Sequence, residues 1–578
     1  MRNQPRRGDG ADLILRHGTI ITMVPGAPHG EALAVSGTSI LAVGSNADID
    51  PLARPMTRVI DLRGRTVIPG LIDAHAHLDR EGLRDLFPSL AGIRSIPELQ
   101  ARLAQLAASR PPGEWIVTMP LGDPPHYFNP PHGLAERRWP TRWDLDAAAP
   151  DHPVYIRAPW GFWHRPPIVS IANSRALELA GVTARTKPSL SSITIEVDER
   201  RGEPTGIFRE AHYFPLVELA LFPMLPRFTP DDRVEGLRRG MARYAALGIT
   251  STYEGHGLAP EILDAYRRLA PADMQVRCHL VQSAPWDSAS EAERFCRDSG
   301  GRLDDLSAAN PWLHLDGIFL SLVGNRELNE ALRCYLPYTG WAGFLPQAFD
   351  EAEYGACARL AMRHGMRLNT IDGWKSDRIV DIWARLAADY PAARRRRHVV
   401  EHLRRPSVQT LRTMKANGMI ATTEPYGYLW KNADQYPSLP EAEQEIVPHR
   451  SLLEHGIPFA LETDNCPPNP FAIMWSAVTR VERTSGAVLG PRQCISPFEA
   501  LAAMTVGGAL LCGREERLGA LAPGKLADMV VLEENPLAIP ADELRHLQPV
   551  LTLVGGRVVY AAPGDEPGLG EGGGFSAA

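Results

Sequence analysis

The hydrophobic positions of the central part of the chain, residues 66–514, follow two alternating periods. Short apolar runs of strand length alternate with longer segments in which apolar residues recur every three or four positions. The predicted strands read VIPGLIDAH, HPVYIRA, GITSTYEG, QVRCHLVQ, LHLDGIFLSLVG, MRLNTID, RHVVEH, MIATTEP and PFALETD. The predicted helices include IPELQARLAQLAAS, DRVEGLRRGMARYAALG, YGACARLAMRHG, DRIVDIWARLAADY and SVQTLRTMKANG. This alternation predicts βα units with a parallel sheet, and a strand number near eight favours a (β/α)8 barrel.

Both ends of the chain carry a different, strand-rich pattern. Short apolar runs separated by turn residues cover ADLILRHGTIITM, EALAVSGTSILAVGS and TRVIDLRGRTVIPG near the start, and GKLADMVVLEENP and PVLTLVGGRVVYA near the end. Neither set is large enough to close a core alone. We therefore predict one small discontinuous β-sandwich built from residues 1–65 and 515–561, around a catalytic barrel at 66–514. The Gly-rich stretch 562–578 is predicted to be a disordered tail.

Composition and charge restrict the function classes. The 578 residues carry a formal net charge of −7 and no long basic stripe, which argues against a nucleic-acid partner. The seven cysteines are scattered without CxxC spacing, as expected in a reducing compartment. The first residues lack the apolar segment of a secretory signal, and no apolar run is long enough to span a membrane. A cytoplasmic protein acting on a small molecule is the expectation.

Candidate metal ligands stand at the ends of the predicted strands. His75 and His77 lie two residues apart, so on one strand they would project to the same face. His402 ends VVEH and Asp464 follows PFALET, again at strand ends. Three imidazoles and one carboxylate suit Zn²⁺ with a position left for water, which becomes a hydroxide nucleophile near neutral pH. Asp464 is also the candidate proton shuttle.

Other polar groups near strand ends are weaker candidates. Glu210 ends GIFRE, and Glu254 and His256 lie in TYEGHG, so each could contact a substrate, complete the metal shell or act as an acid or base. Because neighbouring side chains of a strand alternate, Glu401 is predicted to point away from His402.

Several phrases resemble the amidohydrolase superfamily. VIPGLIDAHAHL, GKLADMVVLEENPL and TLVGGRVVY match phrases found widely in it, at both flanks of the barrel. GEWI, PTRWDLDAAAPDHPVYIR, NSRALELAGVT, GEPTGIFRE and PFEALAAMTVGGA are similar to the amidohydrolase-3 branch, which includes N-substituted formamide deformylase-like enzymes. The resemblance implies an α/β fold, a TIM-like metallo-hydrolase barrel plus the terminal β-sandwich. It also implies hydrolysis of C–N bonds other than peptide bonds.

The chain departs from that branch at two metal positions. Phe319 stands where the branch usually has a lysine that can bridge two metals, and Asn369 stands where it has a histidine. A binuclear site is therefore disfavoured, and the expectation is one divalent metal, Zn²⁺ first and Mn²⁺ or Fe²⁺ as alternatives. Asn369 could instead hold a substrate carbonyl or a water. His164 is displaced from its usual spacing before NSRAL, which indicates a different substrate loop.

Aromatic and proline-rich loops, such as APWGFWHRPP and EPYGYLWKNADQYP, indicate a flat or apolar pocket if they lie over the barrel mouth. The leading hypothesis is hydrolysis of an amide, formamide or cyclic amide or amidine of a small aromatic molecule. A single-metal decarboxylase or other lyase is the first alternative. A degenerate barrel that only binds a ligand is the second. A homodimer is expected only by analogy with the family.

Overall fold

The centre of the molecule is a barrel of eight parallel strands. The computed structural model describes residues 10–300, 303–322, 324, 329 and 347–565. The barrel strands, labelled β1–β8 in chain order, are Leu71–Asp73, Ile249–Leu258, Arg277–Ser283, Leu313–Phe319, Leu368–Ile371, Val399–Glu401, Ile420–Thr423 and Phe459–Leu461. Each strand pairs in parallel with the next along the chain, so the sheet has the sequential order expected of a (β/α)8 barrel. The predicted fold class is confirmed.

Hydrogen bonds between the first and last strands bring the ends of the sheet together. The amide of Ala74, just after β1, donates to the carbonyl of Leu461 in β8 over 3.3 Å. The buried carboxylate of Asp73 then accepts from the amide of Thr463 at 2.9 Å and from its hydroxyl at 2.6 Å. Asp73, which precedes His75 and His77 in the sequence, therefore links the two ends of the sheet.

Helices follow the barrel strands and cover the outside. The helices that flank β2–β8 are Pro230–Ala246, Pro260–Arg267, Ala289–Ser299, Glu351–Arg363, Ser376–Asp389, Val408–Ala416, His449–Glu454, Pro470–Thr479 and Pro497–Ala502. Several begin at capping residues; for example, Thr229, just before Pro230, forms a capping box with Asp232 in the first turn. Their apolar faces join one large core with the outward residues of the strands. Among the described residues, no helix combines the length and apolar character needed to cross a membrane.

A second sheet is inserted between β1 and β2. Its five strands, in spatial order, are Ile193–Asp198, Glu203–Glu210, Ile168–Ala172, Val154–Ile156 and Ile116–Thr118. The segment HPVYIRA, predicted as a barrel strand, lies here; its strand pairs antiparallel with Ile168–Ala172. The assignment to the barrel was wrong because a short buried apolar strand looks alike in either sheet. The helix Ile96–Ala108 packs on the same inserted core.

The two chain ends form the predicted β-sandwich. One sheet contains Leu13–Arg16, Ala32–Ser36, Ser39–Gly44 and Arg58–Asp61, and the other contains Thr19–Ile21, His29–Gly30, Thr66–Pro69, Met529–Leu532, Pro549–Val554 and Arg557–Ala561. Residues from both ends share one core, including Leu15, Val67 and Val531. Because Thr66–Pro69 pairs with Met529–Leu532, the sandwich extends slightly past residue 65. The boundaries at 514 and 561 stay predictions, and 566–578 of the predicted tail lie outside the described residues.

Candidate metal and active site

Four imidazoles and one carboxylate meet at the carboxyl ends of the barrel strands. His75 and His77 follow β1, His256 lies near the end of β2, His402 follows β6 and Asp464 follows β8. The ring centre of His75 lies 4.4 Å from that of His402, 5.1 Å from that of His77 and 5.7 Å from that of His256. Asp464 Oδ1 lies 3.2 Å from His77 Nε2 and 3.9 Å from His75 Nε2. The structure thus brings together all four residues predicted as metal ligands.

Two groups of side chains in this cluster have the spacing of metal ligands. In the group His75, His77 and His256, and in the group His75, His402 and Asp464, the potential ligand atoms all lie within 4.8 Å of one another. His75 is common to both groups, and its Nε2 is fully buried without a hydrogen-bond partner. Imidazole nitrogens and a carboxylate oxygen are the donors that Zn²⁺ prefers, so these residues fit a divalent metal.

Buried glutamates lie behind the histidines. Glu401 Oε2 is 3.1 Å from His75 Nδ1, and Glu462 Oε1 is 2.8 Å from His402 Nδ1. A carboxylate on one ring nitrogen fixes the orientation of an imidazole and leaves the other nitrogen for a metal. Glu462 was not recognised in the sequence, although it stands directly after β8 and two residues before Asp464.

The prediction that Glu401 points away from His402 is wrong. Both side chains face the cluster because the regular strand ends at Glu401 and the backbone of His402 adopts a left-handed conformation, with φ of 54°. Asp464 and Asn465 are left-handed as well, at 46° and 58°. Non-glycine residues rarely adopt this conformation, and such residues concentrate at functional sites. The strict alternation of side chains therefore stops where the candidate site begins.

Asn465 holds the backbone of His77. Its side-chain Oδ1 accepts the amide of His77 at 2.9 Å, and its Nδ2 donates to the His77 carbonyl at 3.1 Å and to Glu81 at 3.1 Å. The hydroxyl of Tyr244 donates to the same Oδ1. These bonds fix the segment after β1 relative to the segment after β8, so they set the distance between His77 and Asp464. The sequence analysis singled out Asp464 but did not identify this role of Asn465.

The electrostatic surroundings favour a cation at the centre of the cluster. Burial lowers the pKa of His75, but Glu401, Asp464 and Glu462 outweigh it and raise the pKa to about 10. Burial raises the pKa of Asp464, but its hydrogen bond with His77 and the neighbouring imidazoles leave the pKa well below its usual range. Asp464 is therefore a carboxylate, and the negative charges around His75 stabilise either a proton or a metal ion.

A cavity of about 450 Å³ opens over this cluster. Its lining includes His77, His256, His402 and Asp464, so the candidate ligands face the space that a substrate would occupy. The walls are largely aromatic, with Trp160, Phe162, Tyr213, Phe214, Trp374 and Tyr428. The volume, and the combination of aromatic walls with polar groups that face the same space, are typical of small-molecule sites.

The two residues that depart from the branch pattern make different contacts. Phe319 ends β4 and lines the cavity, with its ring centre 5.0 Å from that of His256. Asn369 is fully buried in β5, is absent from the cavity lining, and accepts the hydroxyl of Tyr253 at 2.7 Å. Its side chain is thus engaged within the barrel, and the structure does not place it against a substrate as the sequence suggested.

The remaining candidates fall into two groups. Glu254 is near the cluster; its Oε1 accepts the amide of Leu78 and the hydroxyl of Tyr266, and its Oε2 lies 3.9 Å from His77 Nδ1. Glu210 and His164 lie outside the cavity lining: Glu210 accepts the amides of Leu216 and Val217, and His164 lines a separate surface pocket. Both belong to the inserted region, where local backbone amides engage Glu210 and where His164 faces a different pocket.

Comparison with known proteins agrees with this geometry. A family model described as "Amidohydrolase family" matches residues 58–560. The chain belongs to the amidohydrolase family. An N-substituted formamide deformylase from Arthrobacter pascens is 27% identical, with 96% of this chain and 99% of the relative covered. Protein LONG AFTER FAR-RED 3 from Arabidopsis thaliana is 26% identical, with 96% and 93% covered.

A solved structure shares the fold of this chain. An uncharacterized metal-dependent hydrolase from Pyrococcus furiosus superposes with a TM-score of 0.64 at 21% identity, covering 91% of this chain and 99% of the other. The predicted resemblance to the amidohydrolase-3 branch is confirmed. The protein is accordingly an amidohydrolase, a member of a family of enzymes that hydrolyse C–N bonds of small molecules.

Proposed function

We propose that this amidohydrolase uses a single divalent metal to hydrolyse an amide, formamide or cyclic amide or amidine of a small aromatic molecule. The observation that carries the proposal is the cluster of His75, His77, His402 and Asp464 at the floor of the aromatic cavity. Burying imidazoles and the carboxylates behind them destabilises the folded protein unless the imidazoles bind a ligand such as a metal ion. A metal held there would polarise the scissile carbonyl and acidify the attacking water.

The protein groups have separable roles. Glu401 and Glu462 orient the imidazoles of His75 and His402 through their Nδ1 atoms. Asp464 lies beside His77 and faces the cavity, so its carboxylate is placed to take a proton from the attacking water and return it to the leaving nitrogen. The aromatic walls hold the substrate body and exclude water.

The residues on strands β4 and β5 favour one metal over two. Phe319 offers no ligand atom, and the amide oxygen of Asn369 is engaged by Tyr253. His256 lies close enough to His75 and His77 to serve as a further imidazole ligand, a role that its sequence position left open. Zn²⁺ is the proposed metal because the donor set is rich in imidazole, with Mn²⁺ or Fe²⁺ as alternatives.

The first test is the metal content per chain, measured by elemental analysis. We expect about one equivalent in the wild-type protein. The His75→Ala/His77→Ala variant should lose it, whereas His164→Ala, a histidine in the inserted region, should keep it. Two equivalents would reject the single-metal centre, and none after reconstitution with Zn²⁺ would reject metal-dependent hydrolysis in favour of a barrel that only binds a ligand.

The second test is the product of turnover. N-substituted formamides and aromatic amides should release an amine together with formate or the matching acid, in equal amounts. Release of carbon dioxide from a carboxylated substrate without any amine would instead identify a lyase of the same superfamily.

A further inference from the structure

A buried arginine stands beside the candidate metal ligands. Arg80 lies in the short helix Leu78–Leu83 that follows His77, and it lines the cavity although its side chain is only 2% exposed. Its Nε and Nη2 are buried and have no hydrogen-bond partner among the residues that the structure describes. Burying a guanidinium group with unmet donors is costly, so a structure that keeps one usually supplies the missing acceptor.

Among the described residues, no side chain supplies that acceptor in full. The nearest carboxylate in this part of the chain is that of Asp464, with 3.7 Å between Arg80 Nη2 and Asp464 Oδ1, a distance too long for a hydrogen bond. The guanidinium also lies over the ring of Trp160, 4.6 Å from its centre, which holds it in place without satisfying its N–H groups. Asp464 is moreover shared with His77 and, in the proposed function, with the metal.

A second arginine faces the same cavity. Arg404, just after His402, packs its guanidinium 4.1 Å from the ring centre of Tyr428 and 5.0 Å from that of Trp374. Its Nη2 donates to the hydroxyl of Tyr428, and its Nε is buried with no hydrogen-bond partner in the part of the chain that the structure describes. Among the described residues, no carboxylate lies within ion-pair distance of its guanidinium; Asp372 accepts only the Arg404 backbone amide.

The charge of the cavity lining is therefore unbalanced. Among the described lining residues, Asp464 is the only carboxylate, whereas Arg80 and Arg404 both present guanidinium groups. The acids that compensate the histidines, Glu401 and Glu462, lie behind them and do not line the cavity. Charges beside aromatic, low-dielectric walls are weakly screened, so the two guanidinium groups attract anions to their part of the cavity.

We infer that the substrate is an aromatic amide or formamide that carries a carboxylate, with the carboxylate bound by Arg80 and Arg404 and the ring held between the aromatic walls. Arginine suits this role because its planar fork of donors matches a carboxylate. The assignment rests on the proposed function and narrows it from any small aromatic amide to anionic ones.

The test compares two nearly isosteric probes. N-formylphenylalanine is an anion at neutral pH, and N-formylphenylalaninamide is its neutral amide. Dissociation constants are measured by calorimetry on the full-length protein, with brief contact times and chromatography to check for hydrolysis. Metal content is determined on each preparation, and probe binding is repeated after the metal has been chelated, because a carboxylate could also bind the metal directly.

We expect the wild-type protein to bind the anion at least about tenfold more tightly than the amide, with or without metal. Arg80→Met and Arg404→Met should each reduce this preference, while the affinity for the neutral amide changes little. Arg483→Met is the matched control, because Arg483 also stacks on aromatic rings, those of Phe128 and Trp430, but does not line this cavity. Arg404 is only half-buried, so its variant keeps the test available if Arg80→Met does not fold.

Equal affinities for the two probes would overturn the inference, as would a preference that survives in both arginine variants or disappears when the metal is chelated. These results are separate from a failure of the proposed function. A protein that retains an arginine-dependent preference for the anion but binds no metal supports the anion subsite and rejects the hydrolytic proposal.

Discussion

The barrel and the inserted sheet both have buried ionisable residues at the ends of strands, but only the barrel brings them together. In the barrel, His75, His402 and Asp464 follow strands that run in parallel and close on themselves, so their side chains converge. In the inserted sheet, Glu210 ends a strand that is antiparallel to both neighbours, and its carboxyl group binds two local backbone amides. A polar residue at a strand end thus indicates a shared site only when neighbouring strands run the same way.

The inserted sheet still affects the candidate site indirectly. Its loops contribute Trp160 and Phe162, and the segment after Glu210 contributes Tyr213, to the walls of the cavity. The barrel therefore supplies the groups proposed to perform the chemistry, and the insertion supplies much of the apolar surface that a substrate would contact. The following predictions test this division, beginning with the largest expected effect.

Replacement of Asp464 by asparagine should abolish most of the turnover. The variant keeps the shape of the side chain but cannot accept the proton of the attacking water, so we expect a loss of about 10²- to 10⁴-fold in kcat. The measurement is steady-state hydrolysis of whichever substrate the product screen identifies, together with the thermal unfolding curve. Full activity in the Asp464→Asn protein would remove this residue from the proton transfer.

Glu210→Gln should change stability and leave the barrel chemistry intact. Burial raises the pKa of Glu210 to about 8, so the folded protein keeps this carboxyl protonated. The resulting contribution to the free energy of unfolding is fully present below about pH 4.5 and is lost as the pH rises through about 8. The neutral glutamine avoids that loss. We expect the variant to be more stable than the wild type by roughly 2–4 kcal/mol at pH 9, with little difference at pH 4.5, by denaturant unfolding. An equal effect at both pH values would contradict a buried, protonated Glu210.

Glu462→Gln should weaken the metal site without removing a direct ligand. The variant replaces the carboxylate that lies 2.8 Å from His402 Nδ1 by a weaker acceptor, so the imidazole is less firmly oriented. We expect the metal affinity to fall by about 10- to 100-fold, measured by competition with a chelator. The Glu210→Gln protein is the control, since that glutamate lies outside the cavity lining; unchanged affinity in Glu462→Gln would argue against its positioning role.

Tyr253→Phe tests whether Asn369, in β5, stabilises the fold and takes no part in metal binding. The change removes the hydroxyl that donates to Asn369 and leaves a buried amide oxygen without this partner. We expect a loss of about 1–2 kcal/mol in the free energy of unfolding, with the metal content unchanged. Tyr560→Phe in the terminal sandwich is the matched control. A change in metal content would show that Asn369 and Tyr253 contribute to the metal centre after all.

The sequence alone determined the fold class, the terminal sandwich, the family and the set of candidate ligands. These features depend on local patterns: the alternation of strand and helix periods, the phrase around His75 and His77, and polar residues directly after apolar runs. The same patterns could not assign HPVYIRA to the correct sheet, because a buried strand of three to five residues carries no information about its partners.

Tertiary structure decided which of the candidate residues share one site. Through the left-handed backbone at His402 it turned that imidazole to the same side as Glu401, which contacts His75. It also brought Glu462 behind His402 and placed Asn465 across the backbone of His77. It also removed Glu210 and His164 from the cavity and brought Arg80 and Arg404 into it. These outcomes depend on contacts between residues far apart in sequence and on backbone conformations that break the regular alternation. Neither is visible in a pattern of hydrophobic and polar positions.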